Sequence, residues 1–503
     1  MIRQTSHIWR TRLFAATAAI AVVAPVTVAI APLAAQSATT KPAPVRSISA
    51  TDKAQGAKAH PQLVAEFGGA MSGAQASYVE SVGKTVAVES GLSNARGDFT
   101  VTLLNSPVSN AFAIPGGYIY TTRQLVSLMN NEAELAGVLG HEVGHVAARH
   151  AAKRQSAATR NSVIGVLGTL LSGALLGDGA LGQLGQKVFS QGSQLLTLQY
   201  SRGQETQADN LGIDYLRRSG YDPRAMSSVL QSLASQNALE ARLMGSAANR
   251  VPEWASTHPD PASRVRAALV RAGTVAGGRT NRDVFLSGIN GLLYGDDPKQ
   301  GVVEGRSFTH PELRMAFQAP NGFFMINGTR SVSVNGQSGK GEFTSAAYNG
   351  DIDAYVRSAF AALTPQGQQQ IAPATIRRTT VNRIPAAYGS ARVQAGSGPV
   401  DVVVFAYEFE RDKAFHFVTI SQAGQAAVFD PMFGSMRRIS VDEAGRVRPR
   451  RLQVVTVRSG DTIQSMAGRM AYSDAALDRF LVLNGLTATS RLTPGDKVKI
   501  VAY

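Results

Sequence analysis

Residues 131–150 read NEAELAGVLGHEVGHVAARH, and the fold is read outward from this run. Asn131 can cap a helix, and Glu134, three residues on, completes a capping box. Leu135, Val138, Leu139, Val143, Val146 and Ala147 then recur at three- and four-residue spacing, which gives one buried face. Gly137, Gly140 and Gly144 each cost about 1 kcal/mol relative to alanine within a helix. A helix that carries all three is expected to be held by close packing rather than by propensity. His141 and His145 are four apart, so both imidazoles project to one side and can share a metal ion. Glu142 lies about 100° round the helix from His141. That places a carboxylate beside the metal, where it can take a proton from an activated water.

The chain contains only 8 histidines in 503 residues, so an accidental HExxH is rare, and rarer still on a capped, amphipathic helix. It contains no cysteine, which excludes disulfides, thiolate metal sites and a cysteine nucleophile. Any metal must be held by His, Asp or Glu. A catalytic zinc needs a third protein ligand and one open position. His150 is a poor candidate, because on a continued helix it sits half a turn from His141; it reads as an exposed or hydrogen-bonded residue. Downstream, Ser201-Arg202-Gly203-Gln204-Glu205-Thr206-Gln207-Ala208-Asp209 opens a second helical run that stops at Gly220. Glu205 and Asp209 share a face of it. Glu205 can reach the metal while Asp209 bonds a ligand imidazole from behind.

Around this core the 503 residues suggest several domains. Arg3, Arg10 and Arg12 precede an apolar run from Leu13 to Ala35, which reads as a secretory signal cleaved after residue 35. A retained anchor is the alternative, and Pro25 and Pro32 argue against it. Export without disulfides fits a bacterial periplasm. The net charge of +15 is scattered and accompanied by no nucleic-acid-binding signature, so it points to an anionic surface rather than to nucleic acid. Residues 36–60 read as a disordered leader and 61–272 as a mainly helical domain. In the latter, Phe99 to Leu104 forms a strand, and Ala111 to Thr121 a second one carrying the Pro115-Gly116-Gly117 break. Residues 284–441 read as an α+β domain without assignable chemistry. Residues 452–503 read as a strand–helix–helix–strand unit, its first helix capped by Ser459 or Asp461. The whole is therefore expected to be an α+β multidomain protein. The uncharged run from Val163 to Gly177 reads as buried helices or a lid, with contact to a membrane surface or a substrate as the alternative.

At these residues the chain resembles the family-48 zinc metallopeptidases of the BepA-like periplasmic type. Asn110-Ala111-Phe112-Ala113-Ile114-Pro115-Gly116-Gly117, Glu132 to His145, Glu205 to Asp209, Thr257-His258-Pro259 and Arg264 carry the likeness in order. The resemblance implies a zincin-type fold and one zinc ion per chain held by His141, His145 and Glu205, with Glu142 as general base. It implies that His258 approaches the metal, either to stabilise the developing oxyanion or to fill the open position at rest, and that Arg264 orients its loop. It also implies an edge strand near Ala113 to Tyr120, including Ile114, Pro115, Gly116 and Gly117, that takes an extended substrate by strand addition. Substrates would be unfolded or stalled envelope proteins. The C-terminal unit, with Gly460-Asp461-Thr462-Ile463 and Leu483-Asn484-Gly485-Leu486, resembles the LysM module, which implies contact with peptidoglycan glycan. A metal-stabilised chaperone or scaffold, and a peptidoglycan hydrolase, are the rival readings.

Overall fold

The computed structural model describes residues 48–150, 200–244, 258–273, 277–363, 371–395 and 398–503. The signal segment and the 163–177 run lie outside the described residues. Ser49 caps helix α1 (Ala50–Glu66) by accepting from the backbone of Asp52. The leader read over 36–60 therefore gives way to a helix before residue 60. Its polar composition hid one apolar stripe: Leu63 and Phe67 are buried with Phe112, Ile114 and Tyr120. Helix α2 (Ala74–Ala87) follows, then strands β1 (Thr100–Leu104), β2 (Ala111–Ile114) and β3 (Tyr118–Thr122).

The segment read as one strand from Ala111 to Thr121 is a hairpin. Gly116 and Gly117 adopt φ of 94° and 85°, which reverses the chain, and Ala111 to Ile114 then pairs antiparallel with Tyr118 to Thr121. Strand β3 also pairs in parallel with β1, so the sheet order is β1-β3-β2. Of the segment expected to form an edge, only the part in β2 (Ala111–Ile114) lies at one, β1 forming the other edge; Tyr118 to Tyr120 lies at the sheet's centre. Alternation divides the faces: Val101, Leu103, Ala111 and Ile119 join the main core, and Phe112, Ile114 and Tyr120 meet α1.

Thr122 caps helix α3 (Arg123–Leu128), and Asn131 caps helix α4 (Glu132–Ala147). The Asn131 side chain accepts from Glu134 N at 3.0 Å; the Glu134 carboxylate reaches back one residue further than a capping box requires, to Asn130 N at 2.7 Å. Helices α5 (Arg202–Arg218), α6 (Ala225–Met244), α7 (Pro261–Ala272) and α8 (Arg282–Ile289) complete the helical domain. The glycines of α4 meet α5. A Cβ on Gly144 would lie 3.1 Å from the Ala208 carbonyl, and one on Gly212 would lie 3.1 Å from His141 N and 2.6 Å from the Met226 methyl. Glycine thus sets the separation between the two helices that carry the candidate ligands. Gly212→Val is expected to cost about 1–3 kcal/mol in a urea melt, as overpacking does, and to weaken zinc binding by moving Glu205 away from the histidines.

After strand β4 (Leu293–Tyr294) the chain builds an antiparallel layer pair. Strands β5 (Val302–Glu304), β6 (Ser307–His310) and β7 (Met315–Gln318) form one sheet. The other contains β8 (Phe324–Asn327), β9 (Val332–Gly336), β10 (Gly339–Ser345), β11 (Ile376–Val381), β12 (Ile384–Ala395), β13 (Gly398–Glu410) and β14 (Lys413–Gln422), in the order β11-β12-β13-β14-β10-β9-β8. Phe308, Phe317 and Phe323 lie in the core that also holds Phe415 and Phe417, whereas Val418 and Ile420 cluster with Val356 and Phe360 of the helix Ile352–Ala362.

The C-terminal residues form strand β16 (Arg450–Thr456), helices Ile463–Ala467 and Ala476–Asn484, and strand β17 (Lys497–Ala502); the two-residue β15 (Arg437–Arg438) precedes them on the smaller sheet. The first of these helices is capped by Thr462, in a reciprocal box with Ser465, and not by Ser459 or Asp461. Strands β16 and β17 pair antiparallel, and β16 takes β4 on its other side. One core runs from Val79 and Leu135 to Leu452, Phe480 and Val501, so the C-terminal unit shares the interior of the helical domain. Among the described residues, no helix is long and apolar enough to cross a membrane.

Candidate metal centre

Three elements converge on one point. Helix α4 supplies His141 and His145, α5 supplies Glu205, and His258 comes from the turn before α7, where Asp260 caps the helix in a left-handed conformation. All four are buried, and one donor atom from each lies within 4.8 Å of the others. The spacing is close to what a single ion imposes. Tetrahedral zinc with bonds near 2.0–2.1 Å separates its ligand atoms by roughly 3.3 Å. Here His141 Nε2 to His145 Nε2 is 3.0 Å, His145 Nε2 to Glu205 Oε1 is 3.3 Å, and His141 Nε2 to Glu205 Oε2 is 3.6 Å. His258 Nδ1 lies 3.3 Å from His141 Nε2 and 3.1 Å from Glu205 Oε1, in the place of a fourth donor. Imidazole nitrogens and a carboxylate are the donor set that zinc accepts.

The groups behind the donors fix their orientation. His141 Nδ1 donates to Asp209 Oδ1 at 2.9 Å, which leaves Nε2 unprotonated toward the metal. Arg264 grips Asp209 with Nε at 2.8 Å and a terminal nitrogen at 2.6 Å, and its other terminal nitrogen pairs with Glu205 Oε2. One guanidinium thus ties the two acids of α5 together. Burial opposes charge on both carboxylates, yet His258, His145 and His141 hold Glu205 below its ordinary range, and Arg264 and His141 do the same for Asp209. Burial pushes the His145 imidazole well down, toward the neutral form that ligates. The Tyr200 ring stacks on His145 with centroids 3.7 Å apart.

His150 has a position that helical spacing could not reveal. Helix α4 ends at Ala147, and Arg149 adopts a left-handed φ of 55°, so the chain turns back and buries His150. Its Nδ1 lies 2.8 Å from His145 Nδ1, and its Nε2 lies 3.0 Å from Gln207 Oε1. Since the Gln207 oxygen can only accept, the proton of His150 sits on Nε2, and its Nδ1 accepts from His145. That leaves His145 Nε2 for the metal. His150→Ala should lower zinc affinity about 10- to 100-fold, as loss of an orienting partner does, read by competition with a chromogenic chelator.

Glu142 is buried beside this cluster, with Oε1 3.5 Å from His258 Nε2, and neither of its oxygens receives a hydrogen bond among the described residues. A buried carboxylate without a donor is costly, and burial raises its pKa. The candidate substrate residues Ala113, Ile114, Pro115, Gly116 and Gly117 occupy the edge strand and its turn. The turn is covered: a Cβ on Gly116 would lie 2.5 Å from the Asp52 carbonyl in α1.

Residues 73–272 match Peptidase family M48. This segment is similar to an M48 peptidase domain. A stretch of this chain is 34% identical over 198 residues to a beta-barrel assembly-enhancing protease of Yersinia pestis, covering 39% of this chain and 38% of that protein. The corresponding protease of Escherichia coli K12 is 33% identical over 198 residues, with the same shares. A mitochondrial metalloendopeptidase OMA1 of Arabidopsis thaliana is 32% identical over 195 residues, covering 37% of this chain and 36% of that one. The chain therefore spans less than two fifths of the length of these curated relatives. The matched segment holds all four candidate metal donors, Glu142, Asp209 and Arg264.

Proposed function

We propose that this chain is a zinc-dependent endopeptidase of the bacterial envelope that hydrolyses misfolded or misassembled periplasmic and outer-membrane proteins. The observation that carries the reading is the buried His141–His145–Glu205–His258 cluster at zinc-ligand spacing, with the Glu142 carboxylate, undonated among the described residues, beside it. A zinc ion held by His141, His145 and Glu205 would polarise the scissile carbonyl and acidify a water. Glu142 takes the proton and returns it to the leaving amine, a shuttle favoured by a carboxyl whose pKa burial has raised. His258, whose Nδ1 lies 3.3 Å from His141 Nε2 and 3.1 Å from Glu205 Oε1, would either add a fourth donor or stabilise the developing oxyanion. Asp209, His150 and Arg264 hold the ligands in place. The edge strand Ala111–Ile114 offers backbone groups to an extended client, which suits unfolded polypeptide better than a folded surface.

The C-terminal βααβ unit keeps the LysM element order, and the loop from Thr487 to Asp496 is largely exposed, so contact with peptidoglycan glycan is part of the proposal. Denatured casein incubated with purified protein is expected to be cut internally. An added chelator should stop the cutting, and stoichiometric zinc should restore it. Intact casein at all zinc levels would dispose of the peptidase reading.

A further inference from the structure

The C-terminal unit sends one cation into the peptidase. Lys499 on β17 is wholly buried, and its Nζ donates to Ser127 O at 2.8 Å and to Met129 O. These carbonyls belong to the end of α3 and the link into α4, where a helix leaves acceptors without intrahelical donors. The two remaining carbonyls of this link are also engaged: Leu128 O accepts from Asn130 Nδ2 at 3.3 Å, and Asn130 O from Arg282 at 2.9 Å. Asn130 N donates forward into α4, to the Glu134 carboxylate at 2.7 Å, which also accepts from Ser228 Oγ at 2.7 Å. Burial presses Lys499 and Glu134 each toward neutrality, and the charge of each opposes that pressure on the other.

Lys499 is itself fixed. Asn484 Oδ1 accepts from Lys499 N at 2.7 Å, and Asn484 Nδ2 donates to Lys499 O at 2.9 Å and to Phe480 O at 3.0 Å. Arg282, besides holding Asn130, donates to Lys497 O at 2.8 Å. A set of hydrogen bonds, buried at Lys499, Asn484 and Asn130, thus links the C-terminal strand to the first turn of the helix that carries His141, Glu142 and His145.

We propose that Lys499 is a positioning residue for that helix: the C-terminal unit sets where α4 begins, and through it the alignment of the metal ligands and Glu142. The unit is then a working part of the peptidase, whatever else it binds. The inference rests on the metallopeptidase reading for its kinetic arm only, because zinc affinity can be measured without turnover.

The test compares Lys499→Met, Lys499→Met with Glu134→Gln, and Val498→Ala, a core truncation one residue away, with the wild-type full chain. Zinc affinity is read by chelator competition, kcat and KM on casein peptides, and Tm by calorimetry. Lys499→Met is expected to lose about tenfold or more in kcat at little change in KM, as small misplacements of catalytic groups do, and to bind zinc more weakly. The double variant, which removes the stranded carboxylate charge, should regain part of both. Val498→Ala should lower Tm while leaving zinc affinity at the wild-type value. Wild-type affinity and kcat in Lys499→Met would overturn the proposal, and so would an equal loss of affinity in Val498→Ala. If Lys499→Met does not fold, the double variant decides: folded protein that binds zinc supports the clamp, and failure of both overturns it. Should the wild-type bind zinc yet cleave nothing, only the peptidase reading falls, and the affinity arm still stands.

Discussion

Glu142→Gln should lower kcat/KM on denatured casein by about 10²–10⁴-fold, the range that a positioned general base contributes, while bound zinc stays at one ion per chain. The reason lies in the difference between the two roles on one helix. His141 and His145 point into the donor cluster, whereas Glu142 stands beside it with both oxygens undonated among the described residues. An amide of the same shape occupies that place without accepting a proton. Removing a buried charge also relieves a desolvation cost, so the variant should melt no lower than the parent. Zinc content by plasma emission and turnover on the same preparation check both halves. Loss of zinc together with activity would make Glu142 a ligand, and undiminished turnover would remove it from the chemistry.

Glu205→Ala is expected to have the other large effect, and of a different kind. Glu205 gives oxygens to the cluster at 3.3 and 3.6 Å from the two imidazoles and also pairs with Arg264. Without it, two histidines of α4 face His258 with no anion among the donors, and a buried guanidinium loses a partner. A ligand present at a hundred times its dissociation constant stabilises the folded state by about 2.7 kcal/mol. Added zinc should therefore raise the wild-type Tm by several degrees and leave that of Glu205→Ala unmoved. An equal rise in both would show that the ion sits elsewhere.

The centre was legible to the extent that it follows helical periodicity. His141 and His145 at a four-residue interval, and Glu205 and Asp209 at another, specify faces by spacing alone. The meeting of those faces was foreshadowed by glycine on α4: Gly140 and Gly144 lie where the backbone of α5 comes close, at Gly212 and Ala208. The role of His150 was not legible, because it depends on the helix ending at Ala147 and on one left-handed residue, Arg149, against the run of the sequence. The hairpin at Pro115-Gly116-Gly117 was read as a break in one strand, since local residues mark a turn but not which partner the returning chain takes. Helix α1 was masked by composition: lysines, glutamines and alanines surround the few apolar residues that meet the sheet. For the C-terminal unit, element order followed from turns and alternation, whereas burial of Lys499 in a neighbouring domain left no local trace, a lysine in a strand being ordinarily a solvated one.

The interior that runs unbroken from Val79 to Val501 has a genetic consequence. A frameshift or stop codon in the triplets for residues 452–503 would tear apolar side chains out of the same interior that supports the HExxH helix. Such alleles should behave as complete nulls, complemented only by the whole gene and never by the M48 segment supplied alone.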